Sequence, residues 1–152
     1  MKNIVKLLLT LVVALAAVAC ATVRVATEPP QLAKEQTWQL VAIQGRAVNR
    51  SATPVTIVFN PETGNISGRA ACNTYSATYS VASGVAGDKY EWCRLEIGNI
   101  GHADMQCPDA EMNAEMRYLA MLKKCTLMAS PYPQTKLLLG NNDKVLLEFE
   151  LQ

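Results

Sequence analysis

The amino-acid sequence predicts an α+β fold: a mostly antiparallel, curved sheet of about eight short strands, half-barrel-like, packed on one helix. Several short runs alternate apolar with polar residues, as strands with one buried face do. Turn residues separate these runs, and only residues 108–124 show convincing helical periodicity. The chain shows no internal repeat or second domain. A curved sheet whose concave face is covered by the helix buries both apolar surfaces economically.

The first strands are predicted between residues 36 and 70. Residues 38–42 alternate with a period of two, and residues 55–59 are rich in β-branched side chains. In the turn that follows, Pro61 presets the backbone angle φ, and Gly64 accepts a positive φ at its end. Residues 55–70 are therefore predicted to form a hairpin.

The same alternation predicts strands in residues 75–81 and 90–97, and further strands are predicted in residues 125–128 and, on either side of the turn at residues 140–143, in residues 136–139 and 144–149. Residues 83–88 contain two glycines and predict the turn that joins the first two of these strands. We expect Cys93, Leu95 and Ile97 to face inward, because they alternate with more polar neighbours.

The helix is predicted over residues 108–124. Its proline suits the first helical position, where no N–H is needed, and its acidic first turn and basic last turn complement the helix dipole. Met112, Met116, Leu119 and Ala120 make one apolar stripe, which Leu122 widens. We interpret these methionines as core residues rather than as metal or partner ligands.

The N-terminus has the pattern of a bacterial lipoprotein signal. Residues 1–19 combine two lysines, a short apolar run and small residues at the end; the run is shorter than the roughly 20 residues that cross a bilayer. Cys20 follows, and it resembles the lipobox cysteine that carries lipid. We expect a signal peptide (1–19), a lipidated tether (20–35) and a folded domain (36–152). The alternative is ordinary cleavage before an unmodified Cys20. Ala21, where aspartate would signal retention, implies the outer membrane.

Composition limits the partners and the compartment. Removal of the signal leaves 133 residues (152 − 19), the size of one domain, with a formal charge of −1 (+1 − 2). No basic surface is implied, so we expect no nucleic-acid partner. Lipidation of Cys20 leaves four cysteines, which in an oxidising compartment favour two disulfides with three possible connectivities. Their irregular spacing, without a CxxC motif, is unlike a zinc site.

No catalytic constellation is recognised. His102 is the only histidine, and Glu111 and Glu115 lie four residues apart, on one helix face. An enzyme would need a pocket that brings one of these carboxylates to His102. We interpret His102 as a loop residue and the carboxylates as solvated or capping groups. We therefore expect neither enzymatic activity nor a cofactor or metal.

An ordered set of residues spans roughly positions 36–150: Trp38, Leu40, Ile66, Gly68, Cys72, Asn73, Tyr75, Met105, Cys107, Glu115, Tyr118, Leu119, Leu122, Leu137, Leu146 and Phe149. This set resembles the META/HslJ family, small envelope proteins that are often lipoproteins and include a heat-shock member. Two positions depart from the family pattern: Ala71 stands where glycine is usual, and Ala103 stands where threonine is usual.

The resemblance implies a disulfide between Cys72 and Cys107, which match the family's recurrent cysteines, and leaves Cys93 with Cys125 as a second bridge. It also implies a non-enzymatic lipoprotein of the Gram-negative outer membrane, facing the periplasm. Its expected partners are the membrane, through the lipid anchor, and an unknown envelope protein. The role would be accessory or stress-related. The alternative is a secreted or lipid-anchored inhibitor of a hydrolase such as lysozyme.

Overall fold

The computed structural model describes residue 32 and residues 36–49, 53–131 and 133–152, except for the side chains of Val85 and Ala86. Within these described residues, ten strands and one helix follow in chain order: β1 (Thr37–Ile43), β2 (Arg46–Ala47), β3 (Thr56–Asn60), β4 (Asn65–Ala70), β5 (Asn73–Ala86), β6 (Glu91–Ile97), β7 (Gly101–His102), α1 (Asp109–Leu122), β8 (Leu127–Ala129), β9 (Lys136–Asn141) and β10 (Lys144–Leu151). The predicted signal peptide (1–19) lies outside the described residues, and so does the predicted tether (20–35), including Cys20 and Ala21, apart from residue 32.

The sheet is a closed antiparallel barrel, not the half-barrel that the sequence predicts. Eight strands follow each other in the order β1, β3, β4, β5, β6, β8, β9 and β10, and β10 then pairs with β1. Trp38 of β1 lies opposite Ile57 of β3 and Leu151 of β10, so both edges of β1 are hydrogen-bonded. Closure removes the open sheet edges that a half-barrel would expose.

Bulges bend the strands enough to close the barrel. The pairing register shifts between Leu40 and Ala42 in β1, and again between Val145 and Leu147 in β10. Such bulges increase local twist and curvature. Each of the two-residue strands pairs antiparallel with one strand of the barrel, β2 with β1 and β7 with β5. With eight strands, a barrel interior is just wide enough for side chains to fill.

The barrel interior follows the predicted alternation. Trp38 and Leu40 are buried, as are Ile57 and Phe59 on β3. The predicted hairpin is confirmed: β3 and β4 pair antiparallel around a turn in which Gly64 has a φ of 65°. The period-two signal therefore identifies the buried face of these strands correctly.

The predicted turn at residues 83–88 is wrong. β5 continues to Ala86, and its register shifts between Ala82 and Val85, so the glycine-containing stretch is a bulged strand end. The turn lies at residues 87–90, where the Gly87 N–H donates to the Tyr90 carbonyl at 3.2 Å. A bulge is a common role for glycine within a strand, and composition alone does not separate it from a turn.

Both faces of β6 contain a buried residue, although Arg94 and Glu96 on the outer face are exposed. Leu95 belongs to the main core, whereas Trp92 packs outside it with Ala129 and Leu138 in a second, smaller apolar cluster. The Trp92 indole N–H donates to the carboxylate of Asp143. The alternation in this strand thus predicts one buried face correctly and misses the other.

The helix forms where predicted but presents a different face. Glu115, Tyr118, Leu119 and Leu122 are its buried residues, whereas Met116 is 60% exposed. The interpretation of Met116 as a core residue is therefore wrong. Spacing of three, four and seven residues places the four buried side chains on one stripe. Within the part of the chain that is described, no helix is both long and apolar enough to cross a bilayer.

Candidate functional site

A disulfide fastens the turn between β4 and β5 to the segment that leads into α1. Cys72 and Cys107 form this bridge, with their Cα atoms 6.2 Å apart, in the pairing that the resemblance implied. Ala71, immediately before it, has a φ of 71°, which is rare for a residue with a Cβ atom. The usual family residue at this position, glycine, would adopt that conformation without the steric cost.

Asn73 forms a buried polar link between the barrel and α1. Its backbone N–H donates to Glu115 Oε2 at 2.8 Å, and its Nδ2 donates to Glu115 Oε1 at 3.2 Å. Its Oδ1 accepts the Met105 N–H at 2.9 Å, while Nδ2 also approaches the Met105 carbonyl at 3.4 Å. Asn73 is 1% exposed and Glu115 is 3% exposed. Because each polar group has a partner, burial does not leave an unsatisfied donor or a bare carboxylate.

Two buried tyrosines form a second link. The Tyr75 and Tyr118 hydroxyl oxygens are 2.6 Å apart, and the Tyr75 hydroxyl donates to the Thr56 carbonyl at 3.0 Å. A carbonyl only accepts, so the single hydroxyl proton of Tyr75 points to Thr56, and Tyr118 donates to Tyr75. Burial raises the pKa of both phenols, which keeps both protonated.

Gly68 allows this arrangement. It lies opposite Tyr75 in the ladder between β4 and β5. A Cβ atom at this position would overlap the Thr56 carbonyl, the same oxygen that accepts the Tyr75 hydroxyl. The absence of a side chain at Gly68 is thus required for close approach of the backbone of β3.

His102 and Glu115 lie near each other. His102 Nδ1 is 3.7 Å from Glu115 Oε1 and 2.9 Å from the Ala103 carbonyl. Both Glu115 oxygens, however, already accept hydrogen bonds from Asn73, and the cysteines nearest to them are joined in the disulfide. This arrangement suits a carboxylate that holds two segments together. Glu111, the other helix carboxylate, instead accepts a hydrogen bond from the Thr53 hydroxyl at 3.3 Å.

A carboxylate oxygen of Glu111 and the sulfurs of Cys72 and Cys107 lie within 4.8 Å of one another. Thiolate, not disulfide sulfur, is the form of cysteine that binds metals. While the bridge is intact, this group therefore does not offer two cysteine ligands.

The second expected bridge, between Cys93 and Cys125, does not form; both cysteines are buried thiols. Cys93 lies on β6 opposite Met128 of β8, whereas Cys125 points back to α1 and its Sγ donates to the Met121 carbonyl at 3.3 Å. The local hydrogen bond thus directs the Cys125 sulfur to the helix end. Burial raises the pKa of both thiols, that of Cys125 to about 12.

A cleft of about 430 Å³ lies between α1 and the end of the barrel formed by β1, β2 and residues 53–55. Its lining comprises Gln39, Leu40, Ile43, Gln44, Arg46, Ala47, Val48, Asn49, Thr53, Pro54, Val55, Ala71, Ala110, Glu111, Ala114, Arg117 and Tyr118. Most of these side chains are apolar. The volume and the mixture of apolar walls with a few polar groups are typical of small-molecule sites.

The META domain family model matches residues 30–152. The chain belongs to the META domain family. No curated protein matches the chain. Among solved structures, an NMR structure of a protein from Burkholderia xenovorans is 22% identical, with a TM-score of 0.57, and the match covers 89% of this chain and 99% of the other. A second NMR structure is also 22% identical, with a TM-score of 0.52, and the match covers 82% and 95% of the two chains. At this identity the two structures support the fold alone.

Within this META domain, the motif residues gather at the joint between the barrel and the helix. Cys72, Cys107, Asn73, Met105 and Glu115 belong to one bonded network. Gly68 and Tyr75 hold the adjacent strands together. Packing, hydrogen bonding or cross-linking by the side chain or its absence accounts for six of these seven family residues, which describe a structural joint. Met105 contributes only its backbone groups, and its side chain is 58% exposed.

The sequence did not reveal the cleft of the META domain. Its lining comes from parts of residues 39–49, 53–55 and 110–118 and from residue 71, which are brought together only by the fold. The single local signal is the spacing of Ala110, Ala114 and Arg117, which places two small residues and one arginine along one side of α1. Small residues on a helix face allow space beside it, but they do not identify a site on their own.

Proposed function

We propose that this META domain protein is a lipid-anchored, non-enzymatic envelope protein that binds another envelope component in the cleft beside α1. The cleft is the observation that carries the proposal. It offers an apolar surface, from the half-buried Ile43, Val48 and Val55, next to polar groups that would orient a ligand.

The structural joint supports a binding role because it fixes the cleft before a ligand arrives. Ala71 forms part of the cleft lining and lies directly before the Cys72–Cys107 bridge. α1 supplies the facing wall and is held to the barrel by the Asn73–Glu115 hydrogen bonds. A preformed site binds more tightly than one that must first be ordered.

The N-terminal pattern supports the proposed location. Residues 1–19 and Cys20 resemble a lipoprotein signal, and Ala21 favours the outer membrane with the domain in the periplasm. A disulfide in the domain is consistent with an oxidising compartment. The Cys20→Ala variant should leave the outer-membrane fraction if Cys20 carries the anchor. Retention of that variant in the outer membrane would contradict lipid anchoring at this residue.

The binding role is tested by filling the cleft. Ala114 is half-buried and lines it, so Ala114→Trp should occupy the space. Ala120 is exposed on α1 and does not line the cleft, which makes Ala120→Trp the matched control. Cells that lack the protein would be challenged with heat and with antibiotics that probe the outer membrane. The wild-type chain and Ala120→Trp should restore resistance, whereas Ala114→Trp should not.

Thermal melting of each variant would show that the domain still folds. Full complementation by Ala114→Trp would contradict a role for the cleft. The absence of any phenotype in cells that lack the protein, under every stress applied, would contradict the accessory role in the envelope.

A further inference from the structure

We propose that the cleft binds an amphipathic anion: a small molecule with one acidic group, a carboxylate or a phosphate, on an apolar body. This inference rests on the proposed function, because it takes the cleft as the binding site and assigns the chemistry of its ligand.

The charges of the lining favour a single negative group. Arg46 and Arg117 are the cations of the lining and Glu111 is its acid, so the lining carries a formal charge of +1. The Glu111 carboxylate already accepts the Thr53 hydroxyl. Among the described residues, neither guanidinium takes part in an ion pair or hydrogen bond. One acidic group on a ligand would balance the excess charge.

The two arginines reach the cleft from different elements. Arg46 is in β2, just after the turn in which Gln44 and Gly45 both have positive φ, and Arg117 is in α1. Both are exposed, so an acidic group held by them would remain at the mouth of the cleft, in contact with water. Guanidinium groups bind carboxylate and phosphate oxygens through paired hydrogen bonds, which gives them a preference for these anions.

The rest of the lining suits an apolar body. Ile43, Val48 and Val55 are half-buried and provide the accessible apolar surface of the cleft, whereas Leu40 and Tyr118 are already buried in the core beneath it. The Tyr118 hydroxyl proton is used by Tyr75, so it is not available to donate to a ligand. The other polar side chains of the lining, those of Gln39, Gln44, Asn49 and Thr53, are uncharged, so a charged group of a ligand would pair with the arginines, whereas an apolar chain would bury its surface in the cleft.

The test compares three eight-carbon ligands: octanoate, octyl phosphate and octanol. Each ligand would be isotope-labelled, and its binding would be measured on the full chain in lipid nanodiscs. Nanodiscs that carry the Ala114→Trp variant measure how much ligand partitions into the lipid, and this amount is subtracted. We expect at least one of the two anions to bind about tenfold more tightly than octanol, and the tighter one indicates whether the source is a fatty acid or a lipid phosphate. Arg46→Gln and Arg117→Gln should each weaken anion binding severalfold and leave octanol binding unchanged, because each removes a charge at the mouth.

Arg94→Gln is the matched control, since Arg94 is exposed on β6 and does not line the cleft; it should leave all three affinities unchanged. The anion inference would be overturned if octanol and the anions bound equally tightly, or if Arg46→Gln and Arg117→Gln both kept the wild-type affinity for the anions. Either result would leave the cleft as a binding site. Identical uptake by wild-type and Ala114→Trp nanodiscs would overturn the inference for all three ligands, and cell complementation would test the proposed function separately.

Discussion

Removal of the Cys72–Cys107 bridge should cost stability first. The double variant Cys72→Ala/Cys107→Ala opens a loop defined by a sequence separation of 35 residues. The chain-entropy relation then gives about 4 kcal/mol of lost stabilisation at 25 °C. The predicted domain has 117 residues (152 − 35), which corresponds to an unfolding entropy of about 250 cal/mol/K. The melting temperature should therefore fall by roughly 15 °C.

The assay is thermal melting with and without a reductant. Wild type should lose a similar amount of stability on reduction, whereas the double variant should be insensitive. Cys93→Ala/Cys125→Ala is the control, because both positions are thiols in the structure, and it should keep the full sensitivity to the reductant. A double variant of Cys72 and Cys107 that melts like wild type but loses function would refute the structural interpretation and make the bridge itself functional.

Three further predictions concern the same region. Glu115→Ala should cost about 3 kcal/mol in urea unfolding, because it leaves buried donors of Asn73 without an acceptor, whereas Glu111→Ala should cost less than about 1 kcal/mol; equal costs would contradict this. Ala71→Gly should raise stability by about 0.5 kcal/mol, because the steric cost of a positive φ at alanine exceeds the entropic cost of glycine in the unfolded chain. A loss of stability would contradict the inference that Ala71 is strained. Stability should fall as pH rises from about 9, the range of an unfolded thiol, to about 12, the folded pKa of Cys125. Cys125→Ala should make this decline in pH-dependent melting less steep, while Cys93, Tyr75 and Tyr118, whose pKa values are also raised by burial, maintain the rest of it.

Most of the strands were predictable because they bury one face, and a period of two records that burial locally. This signal is missing in β9, where Leu137, Leu138 and Leu139 are all buried. Closure of the barrel was not, because it depends on pairing between β1 and β10, which are about 100 residues apart in the chain. Alternation predicts that the side chains of Trp38 and Leu40 face inward, but it contains no information on which strand pairs with either edge of β1.

The helix shows a different limit of sequence reasoning. Hydrophobicity alone selects a stripe that includes Met116, which the structure exposes. The family residues select Glu115, Tyr118, Leu119 and Leu122, which are the buried ones. The difference arises because a carboxylate and a hydroxyl are buried here through specific hydrogen bonds, and a hydrophobic scale counts both as surface groups.

The joint and the cleft share Ala71, so the bonded motif residues at the joint lie next to the proposed ligand site, and Leu40 and Tyr118 of the family set line the cleft itself. Ala71 lines the cleft, and its left-handed backbone turns the chain from β4 into the bridge at Cys72. A ligand in the cleft would therefore contact a position whose geometry is set by the joint. Loss of the bridge should weaken binding by loosening α1 and Ala71 together, even though neither sulfur lines the cleft. The motif on this account preserves the shape of the site, while Arg46 and Arg117, outside the motif, determine what it binds.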